Sequence, residues 1–137
     1  MPAPPDAVRA FYVDLNNIKV VHPLVVSVHA TARTEQADGY RQTYRVKDRI
    51  PLGPFTLRTS YVAQLTVAEK GDVISEARQF PGVRLYGAVA FDPVAVGTRL
   101  VERLTIEAPR PLAAITTREA VKAHTEMLAG IRRHFGG

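Results

Sequence analysis

The sequence predicts an α+β domain in which one long C-terminal helix covers a face of an antiparallel sheet of about six strands. Three features point there. Between residues 24 and 107, apolar residues recur at every second position in successive runs separated by Gly, Asp and Pro turn signals. After Pro109-Arg110-Pro111 the period changes to that of an amphipathic helix and holds to Phe135. Two short helical segments precede the first strand. Hairpin-linked strands with one dry face must bury it, and the long helix supplies the cover.

Each element follows in order. Pro4-Pro5-Asp6 opens a first helix through Val13, with Asp6 expected to accept from first-turn amides. Asp14 to Asn17 breaks it, and a second short helix runs from Leu15 to Val21 before His22-Pro23. The first strand spans Leu24 to Thr34, with Val26, Val28, Ala30 and Ala32 on its dry face. Tyr40 to Ile50 alternates cleanly, with Arg41, Thr43, Arg45, Lys47 and Arg49 on the wet side. Pro51-Leu52-Gly53-Pro54 is a turn. A long strand then carries Phe55, Leu57, Thr59, Tyr61, Ala63, Leu65 and Val67 inward. Strands Val73 to Phe80, Val83 to Phe91 and Thr98 to Glu107 complete the sheet. The helix covers Leu112 to Phe135, with Ala113, Ala120, Val121, Met127, Leu128, Ile131 and Phe135 on one arc and Glu119, Lys122, Glu126 and Arg133 opposite.

The 137 residues suit a single domain, 1–137. Cysteine is absent, which excludes a disulfide framework and thiolate metal sites and fits a reducing, cytoplasmic compartment. No basic and apolar leader follows Met1, and no apolar run approaches the roughly 18 residues of a membrane span. The net charge of +5 attracts anionic partners. The basic strand face lacks the interleaved aromatics that stack on bases, so nucleic acid is not expected. That face is either a solvated surface or a docking face toward an anionic membrane or acidic carrier. The four His, at 22, 29, 124 and 134, form no close metal-ligand pair, and no phosphate-binding loop or nucleophile elbow is present. No metal or cofactor is expected.

Three stretches resemble the helix-grip superfamily of START lipid-transfer domains, birch-pollen-allergen type proteins and polyketide cyclase/dehydrase proteins, often called SRPBCC. Ala3-Pro4-Pro5-Asp6-Ala7-Val8 resembles the start of that family's first helix. His22-Pro23 resembles the end of its Trp-His-Pro pattern, with Val21 in the place of the Trp. Gly97-Thr98-Arg99-Leu100-Val101-Glu102 resembles the start of its last strand. The resemblance covers nearly the whole chain. It implies a curved sheet gripping the long helix and a ligand cavity between them, without fixing a chemistry. The family also places a strand before Ala3-Pro4-Pro5, pairing with the last strand. The sequence as read begins after it, so the edge of Thr98–Glu107 is expected to pair with a second copy as a homodimer.

His124 sits centrally on the apolar arc of the helix. It is either a core residue with a partner or a polar group aimed into a cavity. Glu102 interrupts the apolar face between Leu100 and Leu104. Asp48 does the same between Val46 and Ile50, at a strand end or at a buried site. Tyr40, Tyr44 and Tyr61 offer apolar rings with polar tips. His124, Glu102 and Tyr61 are the candidate acid/base residues. Tyr44, Phe55, Leu57, Thr59, Val89, Leu104, Met127 and Leu128 are the candidate ligand walls, with Gln42 a further polar contact. Arg78 and Arg84 are surface residues or the mouth of the cavity. Small inward residues (Ala30, Ala32, Ala63 and Gly87) favour an open cavity over one filled by side chains. The expected function is binding or transport of a small hydrophobic molecule, a lipid, acyl chain or polyketide-like aromatic. The alternatives are a cyclase/dehydratase-type enzyme acting on an enolisable carbonyl compound, or an interaction module.

Overall fold

The computed structural model describes residues 1–52, 54–79, 82–110 and 113–136. The elements run α1 (Pro5–Val13), α2 (Leu15–Val21), β1 (Val25–Gln36), β2 (Gly39–Leu52), β3 (Phe55–Ala68), β4 (Val73–Gln79), β5 (Val83–Val94), β6 (Gly97–Glu107) and α3 (Ala113–Gly136). The six strands form one antiparallel meander in the order β1-β2-β3-β4-β5-β6. Val46, Leu65, Val67, Val73 and Val89 on one face pack with Met127 and Ile131 of α3 and with Tyr12 and Ile18 of the N-terminal helices. No helix is long and apolar enough to cross a membrane among the described residues.

Several expectations shift in detail. Asp6 makes no cap: the Pro4 carbonyl accepts from the amides of Ala7 and Val8, both at 3.1 Å. β1 carries two register breaks, between Val25 and Ser27 and between Ala30 and Ala32. The first expels Val26, which is 56% exposed, and turns Val25 inward, because a bulge adds one residue to one strand only. Ala30 and Ala32 are exposed. Gly87 is buried, yet a methyl there would collide with Ser75 Oγ and lie 3.4 Å from Leu104 Cδ2. The small residues at 30, 32 and 87 therefore do not mark empty space. Pro51 and Leu52 continue β2, and Asp92-Pro93 continues β5. Gly53, Phe80 and Leu112, assigned above to a turn, a strand end and a helix start, lie outside the described residues.

The buried stripe of α3 is Ala123, Met127, Gly130 and Ile131, while Val121 is exposed. Hydrophobicity alone underweights Ala and Gly, whose burial here reflects a close neighbour. A methyl at Gly130 would sit 2.9 Å from Val21 Cβ and 3.2 Å from Val21 Cγ1. Lys122 and Arg133 face solvent, as the helical phase requires.

At the outer edge of the sheet, the start of β6 is not bare. The Met1 ammonium donates to the Thr98 carbonyl at 2.8 Å, and the Thr98 amide donates to the Met1 carbonyl at 2.8 Å. Thr98 Oγ1 donates to the Ala3 carbonyl at 2.7 Å. Gly97 has φ +143, and a methyl there would collide with the Met1 carbonyl oxygen. Beyond Thr98, the described residues supply no strand partner to this edge.

β2 and β3 pair along their whole length, from Gly39↔Ala68 to Leu52↔Phe55. β1 joins β2 only as far as Val25↔Asp48, and β4 joins β3 only from Val62↔Arg78. The far end of the hairpin therefore projects as a two-stranded arm without flanking strands among the described residues.

Two measurements follow from this architecture. Gly130→Ala should gain up to about 1 kcal/mol in helix propensity but lose about 1–3 kcal/mol by overpacking against the stiff Val21 side chain. Thermal unfolding should show a net loss, and a Tm at or above the parent's would mean that α2 yields freely. Pairing of two copies at the β6 edge would appear in analytical ultracentrifugation as a dimer at tens of micromolar, and a monomer there would exclude it.

Candidate functional site

Four elements bring polar side chains to one place. On α1, Val8 and Tyr12 lie four residues apart and share the buried face. On β6, Glu102 sits opposite Val89 on the inward side, with 3% of its side chain exposed. On α3, His124 follows the buried Ala123 and is 19% exposed. At the end of α2, His22 leaves the helix while its amide still donates to the Ile18 carbonyl at 2.8 Å.

Glu102 is the hub. Its Oε1 lies 2.5 Å from His124 Nδ1, and its Oε2 accepts from the Tyr12 hydroxyl. Burial alone pushes the Glu102 carboxyl up. The hydrogen bond and charge of His124, the Tyr12 hydroxyl and the charge of His22 outweigh it and hold the group below its ordinary range. Burial and the adjacent carboxylate push the Tyr12 phenol well up, so it stays a donor. An ionised Glu102 can only accept, which places the hydrogen on His124 Nδ1 and leaves Nε2 as the ring's second functional nitrogen. The His22 ring stands edge-on to that of His124, with centroids 5.6 Å apart. His22 Nδ1 accepts from the Leu24 amide at 3.2 Å. Burial, reinforced by the charge of His124, lowers its pKa to about 4, so His22 is a neutral imidazole at neutral pH with its hydrogen on Nε2.

A second polar group lies on the sheet. Asp48 and Thr59 are cross-strand partners, and Tyr61 follows two residues on, opposite Val46. Asp48 Oδ1 and Thr59 Oγ1 are both buried without a hydrogen-bond partner among the described residues. Burial raises the Asp48 pKa to about 6, although the charge of His124 pulls it back. The Tyr61 phenol is pushed up by burial and by the charge of Asp48. Asp48 is thus a buried site more than a strand end dissolved in water.

The structure brings together Glu102 and His124 but assigns Tyr61 to Asp48, and Tyr12 takes the place expected of Tyr61 beside Glu102. Tyr44 is buried and donates to the Val13 carbonyl at 3.3 Å. Val89 and Met127 are core residues, and Leu128 packs against them. Leu104 is half-buried. Phe55 and Leu57 are 75% and 46% exposed on the arm, outside the packed core. Gln42 donates to the Ala32 carbonyl at 2.8 Å, and Arg84 is exposed beside Tyr86. An open cleft of about 420 Å³ lies at the root of the arm, lined by Val26, Lys47, Asp48, Arg49, Arg58, Thr59 and Ser60. Among the described residues, no three His, Asp or Glu side chains are grouped to hold a metal ion.

His22 and Asp48 act in opposite pH directions. Neutral His22 takes a proton more readily in the unfolded chain, so its contribution is lost as pH falls from about 6.5 through about 4. Asp48, raised from 3.8 to about 6, favours folding below 3.8 and loses that contribution as pH rises through about 6. Asp48→Asn should therefore stabilise the protein above pH 6 by up to about 3 kcal/mol, and the gain should vanish near pH 4. Chemical denaturation across that range measures it. A pH-independent effect would mean Asp48 is not desolvated.

No protein-family model matches the chain, and no curated protein matches it. Among solved structures, the crystal structure of TTHA0849 from Thermus thermophilus superposes with a TM-score of 0.79 at 22% identity, covering 98% of this chain and 91% of that one. At that identity the two chains share a fold.

Proposed function

We propose that this chain belongs to the helix-grip superfamily and binds a small, mostly apolar molecule carrying a hydroxyl or carbonyl oxygen. The observation that carries this reading is the pair of unpartnered buried atoms, Asp48 Oδ1 and Thr59 Oγ1. Each unmet buried group costs about 1–3 kcal/mol, and side by side on one strand pair they suit a single polar function of a ligand. A hydroxyl could donate to Asp48 and accept from Thr59. The apolar remainder would lie along the surface that α3 shares with the sheet, within reach of His124.

A second reading is favoured by the Glu102–His124 contact. A carboxylate that fixes Nδ1–H orients the imidazole and leaves Nε2 free to exchange a proton, the arrangement a general acid/base needs. In that reading His124 moves a proton of an enolisable carbonyl compound and Glu102 positions it.

Native mass spectrometry of protein purified from its source should show a bound organic mass. Thr59→Val should lower its occupancy, by about 5- to 10-fold in affinity, while leaving the fold as stable or more stable. His124→Leu separates the two readings. In a carrier it changes affinity by about 1–3 kcal/mol. In an enzyme it removes turnover by roughly a hundredfold or more while binding stays near normal. A wild-type protein free of any bound mass, with Thr59→Val merely more stable, would refute the ligand reading.

A further inference from the structure

The β2–β3 arm has two unlike faces, and both are open. One is apolar: Ile50 pairs with Leu57, and Phe55, at the last described pair, is 75% exposed. The other is cationic. Arg49 and Arg58 are direct cross-strand partners, Lys47 pairs with Ser60, and Arg45 follows opposite Val62. All four cations are exposed, and none has an ion-pair partner among the described residues. Like charges placed directly opposite destabilise a strand pair, so the Arg49–Arg58 pairing does not favour the arm's own folding.

We propose that this arm docks end-on to an anionic lipid bilayer, with Phe55 and Leu57 entering the interface and Arg49 and Arg58 meeting the headgroups. Distances along the strands support one plane of contact for both sets. Arg49 and Arg58 lie three residues from the Leu52↔Phe55 pair, about 10 Å back from the tip at about 3.3 Å per residue. An apolar element that sinks about 5–10 Å into the headgroup and acyl boundary brings those guanidinium groups to the level of the lipid charges. An acidic protein would account for the cations but not for an aromatic tip held in water. Nucleic acid would need aromatics among the cations, and Phe55 is on the other face. The proposal is independent of the ligand reading above, since it uses neither His124 nor the Asp48–Thr59 pair.

The chain contains no Trp, so Phe55→Trp provides a single fluorescent reporter at the tip. Titrated with vesicles of phosphatidylcholine and phosphatidylserine in about a two-to-one ratio, its emission should shift to the blue, and added salt should weaken the binding. Vesicles of phosphatidylcholine alone should leave the emission unchanged. Adding Arg49→Gln and Arg58→Gln should weaken the binding about 25-fold, near fivefold per cation. In sedimentation with the same vesicles, Phe55→Ser in the otherwise native chain should pellet less than the parent. An unshifted emission on the anionic vesicles overturns the proposal, as does an equal shift on neutral ones. So does pelleting that ignores Phe55→Ser, and so does binding to polyglutamate or duplex RNA with none to vesicles.

Discussion

The buried carboxylate of Glu102 is the constraint on which the tertiary arrangement turns. A charge at 3% side-chain exposure is tolerable only if its oxygens are filled. Here one is filled from α3 by His124 and the other from α1 by Tyr12. The N-terminal helix, the last strand and the C-terminal helix are therefore fixed to one point by charge as well as by packing. Removing one partner from a buried pair costs about 3–5 kcal/mol, comparable to emptying a Leu-sized site in the core. The contact also fixes the orientation of the His124 ring, so stability and any chemistry at that ring depend on the same atoms.

The interior is a layered compromise. Beneath α3, Met127 and Ile131 form a conventional apolar seam with Val46, Leu65 and Val89. Toward the arm, the seam gives way to Tyr61, Asp48 and Thr59; burial penalises their polar groups, and Asp48 Oδ1 and Thr59 Oγ1 find no hydrogen-bond partner among the described residues. A fold selected for stability alone would place apolar residues there. His22 adds a neutral imidazole close to the second one, so the interior holds several groups whose protonation is set by environment and not by their ordinary affinities.

Element types, and their bounds to within about three residues, were legible in the sequence because periodicity is a local signal: two along β2 and β3, helical along α3. The sequence also singled out Glu102 and His124, since a carboxylate and an imidazole on otherwise apolar faces are conspicuous. Their pairing was not legible, because it depends on how α3 sits over β6. Tyr12 and His22 were missed as members of the site for a related reason. Tyr12 reads as one more apolar residue on α1, and His22 reads as the end of α2. The spacing of Tyr12 four residues after Val8 on an N-terminal helix was the available clue. The Val26 bulge reverses a face and leaves no trace in alternation. The exposure of Phe55 follows from where β1 and β4 stop pairing, which composition does not reveal.

The meander itself bears on how the chain reaches this state. Every strand neighbour is also the next strand in sequence, so each ladder closes a short loop and the sheet assembles from local contacts. The contacts that seal the molecule are of another kind: Tyr12 to Glu102 spans 90 positions and Thr98 to the N-terminal ammonium spans 97. Loop-closure entropy places such contacts after the hairpins. The expected consequence is that α1 is secured after the hairpins, which native-state amide exchange would register as weaker protection there than in β2 and β3.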